Sequence, residues 1–133
     1  MMRGIRGAIA ASTAIAVAWT TSGCISERAS GPAVDLEGCN VELPADAFGS
    51  SIVVIRDFTF VPAQVSIKSG SKVTWVNCEP AGSDSHTSTA DANQWSSPLL
   101  APGATFTREF TGTGSFPYHC DPHPSMQGAV TGE

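Results

Sequence analysis

IVVIRDFTFVPAQVSIKSGSKVTWVN, residues 52–77, reads as three strands and no helix. The run from Ser51 to Asp57 is β-branched, a composition that suits a pleated backbone. In the stretch from Phe58 to Lys68, Val65 and Ile67 share one face, and Pro62 marks a strand edge or bend because it has no N–H for a ladder. Ser69-Gly70-Ser71 is a turn. From Lys72 to Asn77 the chain alternates, with Val73, Trp75 and Asn77 against Thr74 and Val76, the period of a strand.

The same signal continues outward. HTSTAD (His86–Asp91), ATFTREF (Ala104–Phe110), FPYHC (Phe116–Cys120) and QGAVTG (Gln127–Gly132) are further candidate strands, separated by Gly-rich turns such as TGTGS. Short strands at this spacing predict an all-β sandwich or barrel. The expected core comprises Ile52, Val54, Phe60, Val65, Ile67, Val73, Trp75, Phe106, Phe110 and Phe116. Trp75 is assigned to packing rather than to a redox path. No internal repeat is present.

At 133 residues the chain holds one domain after any leader. Its formal charge of −5 becomes about −7 once Arg3 and Arg6 are removed with a leader. That balance disfavours nucleic acid and anionic membranes and is compatible with a basic protein partner, although it also serves solubility.

The N-terminus predicts export. Arg3 and Arg6 precede a short run of small apolar residues, Gly7–Trp19, then Thr20–Cys24. The run is too short for a span of about 20 residues. Ser22-Gly23-Cys24 resembles a prokaryotic lipobox, with Thr21 where that pattern usually has Leu. Lipidation of Cys24 would tether the chain to a membrane without spanning it, with ordinary cleavage nearby as the rival. Residues 1–23 are thus expected as a signal, 24–48 as a flexible tether and N-terminal segment, and 49–133 as the folded domain.

Four cysteines remain to be allotted: Cys24, Cys39, Cys78 and Cys120. With Cys24 lipidated and Cys120 on a metal, Cys39 and Cys78 are left, and an oxidising compartment favours their pairing over two buried thiols. Closing a loop of that size stabilises by about 4 kcal/mol on the chain-entropy model.

Cys120 opens the stretch CDPHPSM, in which Cys120, His123 and Met126 stand at equal steps. Pro122 and Pro124 bracket His123 and push their neighbours out of helical geometry, so these residues sit on a stiff loop. Thiolate with imidazole suits zinc, copper or iron, but a thioether is a common weak ligand only for copper; two His and one Cys with a distant Met make a blue-copper site. The second His must be His86 or His119. His119 precedes Cys120 in a predicted strand and points to the opposite face, so His86 is the expected ligand and His119 a packed or solvent-facing imidazole.

The strand pattern of residues 52–77, then His86-Thr87, then YHCDPHPSM, resembles the cupredoxin family from about residue 50 to the C-terminus. The ligand loop, with two residues on each side of His123, resembles that of amicyanins more than that of plastocyanins. The resemblance implies a Greek-key sandwich of about eight strands with one type 1 copper at one end. It implies equatorial His86, Cys120 and His123, axial Met126, and a bond across to the Cys loop from the residue after the first His. Asn is frequent there; here Thr87 would donate through its hydroxyl. It also implies an exported electron carrier working with protein donors and acceptors through the exposed edge of His123, and a monomer is expected. A copper enzyme would need more histidines than the three present. A copper storage or delivery module is the alternative, and a structural zinc site a further rival.

Overall fold

The computed structural model describes residues 36, 38, 39 and 41–133; the expected signal and Cys24 lie outside the described residues. Eight strands form: β1 (Ser51–Arg56), β2 (Thr59–Val61), β3 (Gln64–Ile67), β4 (Ser71–Asn77), β5 (Thr89–Ala90), β6 (Thr105–Phe110), β7 (Gly114–His119) and β8 (Gln127–Gly132); the stretch Phe58–Lys68, read as one run, is broken at Pro62 into β2 and β3, and β7 begins within the expected turn. One 3-10 turn, Ala45–Ala47, precedes β1.

The strands make two four-stranded sheets, ordered β2-β1-β4-β6 and β3-β8-β7-β5. β1 pairs with β4, and β3 with β8, in parallel, while the other neighbours are antiparallel. Parallel neighbours cannot be joined by a tight hairpin, and the chain links them by changing sheet, as a Greek key does. The first change falls at Pro62, after a cis Val61–Pro62 peptide. β5 is shorter than the HTSTAD run because His86 instead exchanges both backbone hydrogen bonds with Leu100 in an isolated bridge, ahead of the strand.

The core lies between the sheets. Trp75 and Tyr118 meet edge to face there, with ring centroids 5.3 Å apart, and Phe60, Val73, Trp95, Phe110 and Val130 pack around them. One expectation fails. Val53 and Ile55, not Ile52 and Val54, face this core. Val54 is buried on the outer face, where with Val76 and Cys78 it packs against Ile52, Leu36, Val41 and Leu43. β1 is covered on both faces, so its sequence does not alternate and the phase could not be read from it. Phe106 and Phe116 lie at the core margin and are only partly buried.

A disulfide joins Cys39 to Cys78 within that outer cluster. It fastens the segment before β1 to the end of β4, immediately ahead of the loop that leads to His86.

Candidate metal centre

The loop from Cys120 to Met126 joins β7 to β8 and has few ways to fold. Pro122 and Pro124 have no N–H, and the remaining amides close two successive turns. His123 N–H donates to Cys120 O (3.2 Å), and Met126 N–H donates to His123 O (2.9 Å). Cys120 N–H then donates to Met126 O (3.1 Å), which clasps the two ends of the loop together. Cys120 is fully buried and Met126 nearly so, both in the main apolar cluster, whereas His123 keeps one edge in solvent.

His86 arrives from the segment just ahead of β5, the strand beside β7, positioned by its backbone pairing with Leu100. Its ring is fully buried. The Sγ of Cys120 lies 3.6 Å from Nδ1 of His86 and 3.7 Å from Nδ1 of His123, and the two Nδ1 atoms are 3.2 Å apart. Bonds of about 2.0–2.3 Å spread evenly around one ion separate their donors by roughly 3.5–3.8 Å. The triangle therefore has the size of a single coordination shell, slightly narrowed between the imidazoles. Two nitrogen lone pairs so close are accommodated by a proton on one of them or by a cation that both ligate. The donor set fits a copper ion.

A ring of hydrogen bonds holds the thiol from behind. Thr87 N–H donates to Cys120 Sγ at 3.4 Å. The Asp121 N–H donates to Thr87 Oγ1 (2.8 Å), and Thr89 Oγ1 donates to Asp121 Oδ2 (2.8 Å). Thr89 has spent its proton on the carboxylate, so Thr87 is the donor in the 3.1 Å contact between their hydroxyls. Thr87 was expected to donate across to the Cys loop; toward that loop its hydroxyl accepts and its backbone amide donates. The reason is that the loop group facing the Thr87 hydroxyl is the Asp121 backbone N–H, which can only donate, while the Asp121 carboxylate takes the Thr89 proton.

Sequence reasoning missed three contributors. Glu79 is buried, and its Oε1 accepts the Phe58 N–H at 2.9 Å and lies 3.6 Å from Nε2 of His86. With Nδ1 turned to the centre, the His86 proton sits on Nε2, and this carboxylate is its nearest partner, just beyond hydrogen-bond length. Burial and then the neighbouring His123 lower the His86 pKa, opposed by Glu79 and Asp84, so the ring stays neutral and ready to ligate. Asn77 sets the Glu79 loop: its Oδ1 accepts the Glu79 N–H, and its Nδ2 donates to Leu100 O. Phe58 meets both imidazoles edge-on, at 5.3 Å for His86 and 4.9 Å for His123. Asp57 and Phe58 both adopt positive φ in the tight turn between β1 and β2, a geometry rare enough in non-glycine residues that alternation alone did not expose it.

His119 is not drawn into the triangle. Its Nδ1 lies 2.6 Å from Asp91 Oδ1 and its Nε2 3.3 Å from Asp121 Oδ1. The hydrogen bond to Asp91 raises its pKa.

Residues 50–133 match the family of copper-binding proteins that includes plastocyanin and azurin. The chain belongs to this family. Its cofactor is accordingly copper, and the fold is that of a cupredoxin. Among relatives, the chain is 35% identical to amicyanin-alpha of Methylorubrum extorquens, over 69% of this chain and 76% of that one. It is 29% identical to the amicyanin of Paracoccus denitrificans (65% and 68%) and 34% identical to a chloroplastic plastocyanin of Tetradesmus obliquus (68% and 63%). Among solved structures, a purple cupredoxin from Nitrosopumilus maritimus superposes with a TM-score of 0.57 at 26% identity, covering 63% of this chain and all of that one. A copper-containing nitrite reductase of Thermus scotoductus shares the fold at 23% identity and a TM-score of 0.57, this chain matching 22% of its length.

Proposed function

We propose that the protein is a blue-copper electron carrier, with His86, Cys120 and His123 as equatorial ligands and Met126 as the axial one. The observation that carries the reading is the triangle of one sulfur and two Nδ1 atoms, preassembled at coordination distance from two separate loops. Bound copper supplies a one-electron couple between Cu(I) and Cu(II). The residues supply rigidity. The Cys120–Met126 clasp, the two prolines and the Thr87–Asp121 ring keep the donors still while the charge changes. Burial of His86 and Cys120 excludes water, and the exposed edge of His123 leaves one route to the surface. The amicyanin and plastocyanin relatives support a carrier working between protein donor and acceptor.

An enzyme is disfavoured on the chain's own residues. Of three histidines, two face the centre and His119 is engaged by Asp91 and Asp121, so no imidazoles remain for a second, catalytic copper. Export is proposed from residues 1–23, with lipidated Cys24 as a membrane anchor and residues 49–133 as a monomeric copper domain in the periplasm or at the cell surface.

Visible and EPR spectra of the copper-loaded protein test the assignment. The intense thiolate-to-copper band is expected in the wild type and in His119→Ala, and is expected to vanish in Cys120→Ser. Met126→Leu keeps the band and shifts the potential. A wild type that holds copper without that band, or that gives it up to a chelator without reversible one-electron cycling, refutes the carrier in favour of delivery.

A further inference from the structure

Glu79 reaches His86 from a segment that a disulfide pins. Cys78 and Glu79 follow β4 directly. The Cys78 N–H donates to Ile55 O (2.8 Å), and the Glu79 N–H to Asn77 Oδ1 (3.0 Å). The Glu79 carboxylate turns inward, to the Phe58 N–H and toward Nε2 of His86. One residue away, Cys78 is bonded to Cys39.

Cys39 belongs to the segment before β1, whose grip on the sandwich is otherwise apolar. Leu36, Val41 and Leu43 pack against Val54 and Val76. Among the described residues, the backbone hydrogen bonds of 36–43 close within the segment, from Cys39 N–H to Leu36 O and from Val41 N–H to Cys39 O. The disulfide is thus the one covalent fastening across this boundary. A cavity of about 250 Å³ opens beside it, bordered by Cys39, Val41, Asn77, Cys78, Glu79 and Pro102. Cys78 and Glu79 are each only 8% exposed, whereas Cys39 is half-buried. A reagent entering there meets Cys39 first, and whatever loosens the segment also lets water onto Glu79.

We propose that the Cys39–Cys78 disulfide is a second redox site, opened by a dithiol, that controls through Glu79 how firmly the copper centre holds its electron. The proposal rests on the carrier reading and adds its regulation. A thiolate of the dithiol attacks the Cys39 sulfur, the S–S bond breaks, and Cys78 leaves as a thiolate that takes a proton from water. The second thiol of the reductant attacks the mixed disulfide and frees Cys39, so the protein gains two electrons and two protons and the dithiol leaves as a disulfide. The opened segment is held by packing alone, and the cavity widens. A dry carboxylate favours Cu(II) over Cu(I); the same carboxylate in water favours it less. The closed form therefore gives up its electron more readily, and the opened form keeps it.

Two measurements on the full copper-loaded chain test this. In the first, the copper(I) protein is treated with dithiothreitol, capped with iodoacetamide and mapped by peptide mass. Cys39 and Cys78 are expected to be capped while the protein is still folded; capping only after denaturation overturns the proposal and leaves a structural staple. In the second, the visible band is titrated for wild type and for Cys39→Ser with Cys78→Ser, which keeps the size of the opened thiols. The serine pair is expected to shift the equilibrium with a reference couple about fivefold toward Cu(I), roughly 40 mV. In a Glu79→Gln background the same pair should shift it less than about twofold, because no charge remains to be hydrated. An unshifted serine pair, or an equal shift with and without Glu79, overturns the proposal and leaves the carrier intact. A wild type with no reversible one-electron response defeats the carrier reading itself. If the serine pair does not hold copper, the wild type opened and capped with copper(I) bound is titrated in its place, and loss of copper there too refutes the proposal, since a switch must still cycle when open.

Discussion

Replacing Glu79 by Gln removes a buried charge from behind His86 while keeping the side chain's shape and an oxygen for the Phe58 N–H. Its Oε1 is 3.6 Å from Nε2 of His86, on the side of the ring away from the centre. Adding the width of the imidazole and one coordination bond places the carboxylate roughly 7 Å from the ion, bonds of this kind being about 2 Å. Cu(II) carries one more positive charge than Cu(I), so the carboxylate stabilises the oxidised state more. With an effective dielectric constant of about 20, one unit charge at that range is worth about 2 kcal/mol, or roughly 100 mV for a one-electron couple. Glu79→Gln is therefore expected to raise the midpoint potential by on the order of 100 mV. Redox titration of the visible band at neutral pH, wild type beside variant, reads this directly. A potential that moves by less than about 20 mV, a twofold change in the equilibrium, or that falls, refutes the electrostatic role of Glu79.

Three further outcomes follow from the packing. Cys39→Ala with Cys78→Ala opens a loop spanning a sequence separation of 39; the loss of about 4 kcal/mol should lower Tm by roughly 15–30 °C in thermal melts. Gly128→Ala would set a Cβ 2.4 Å from Cζ of Tyr118, and displacing that buried ring should destabilise by about 1–3 kcal/mol in denaturant titrations. Tyr118 is the only tyrosine, and burial pushes its pKa up from 10.0 to about 12, so phenolate absorbance should appear late in an alkaline titration of the folded protein. The unfolded chain loses that proton first, so the stability tied to neutral Tyr118 is complete below about pH 10 and fades as pH rises toward 12.

Much of this was legible because the informative residues are constrained one at a time. Alternation located β4 and β6, and the prolines around His123 announced a loop rather than a helix. The thiolate, imidazole and thioether in that loop pointed to a metal before any partner ligand was known. β1 was harder: a strand buried on both faces carries no phase, so Val53 and Ile55 could not be told from their neighbours. Glu79 and Asn77 were invisible for a different reason. A carboxylate after a strand is commonly solvated, and only the three-dimensional approach of His86 turns it inward. The direction of the Thr87 hydrogen bonds depended on Asp121, a residue whose role is set by its neighbour across the fold rather than by its own type.

The clasp between Cys120 and Met126 passes directly into β8, which pairs with β7 and, in parallel, with the distant β3. A chain that lacked β8 would still carry Cys120, His123 and Met126, but the strand that holds the Met126 end of the loop beside β7 would be missing, so its hold on a metal is expected to weaken.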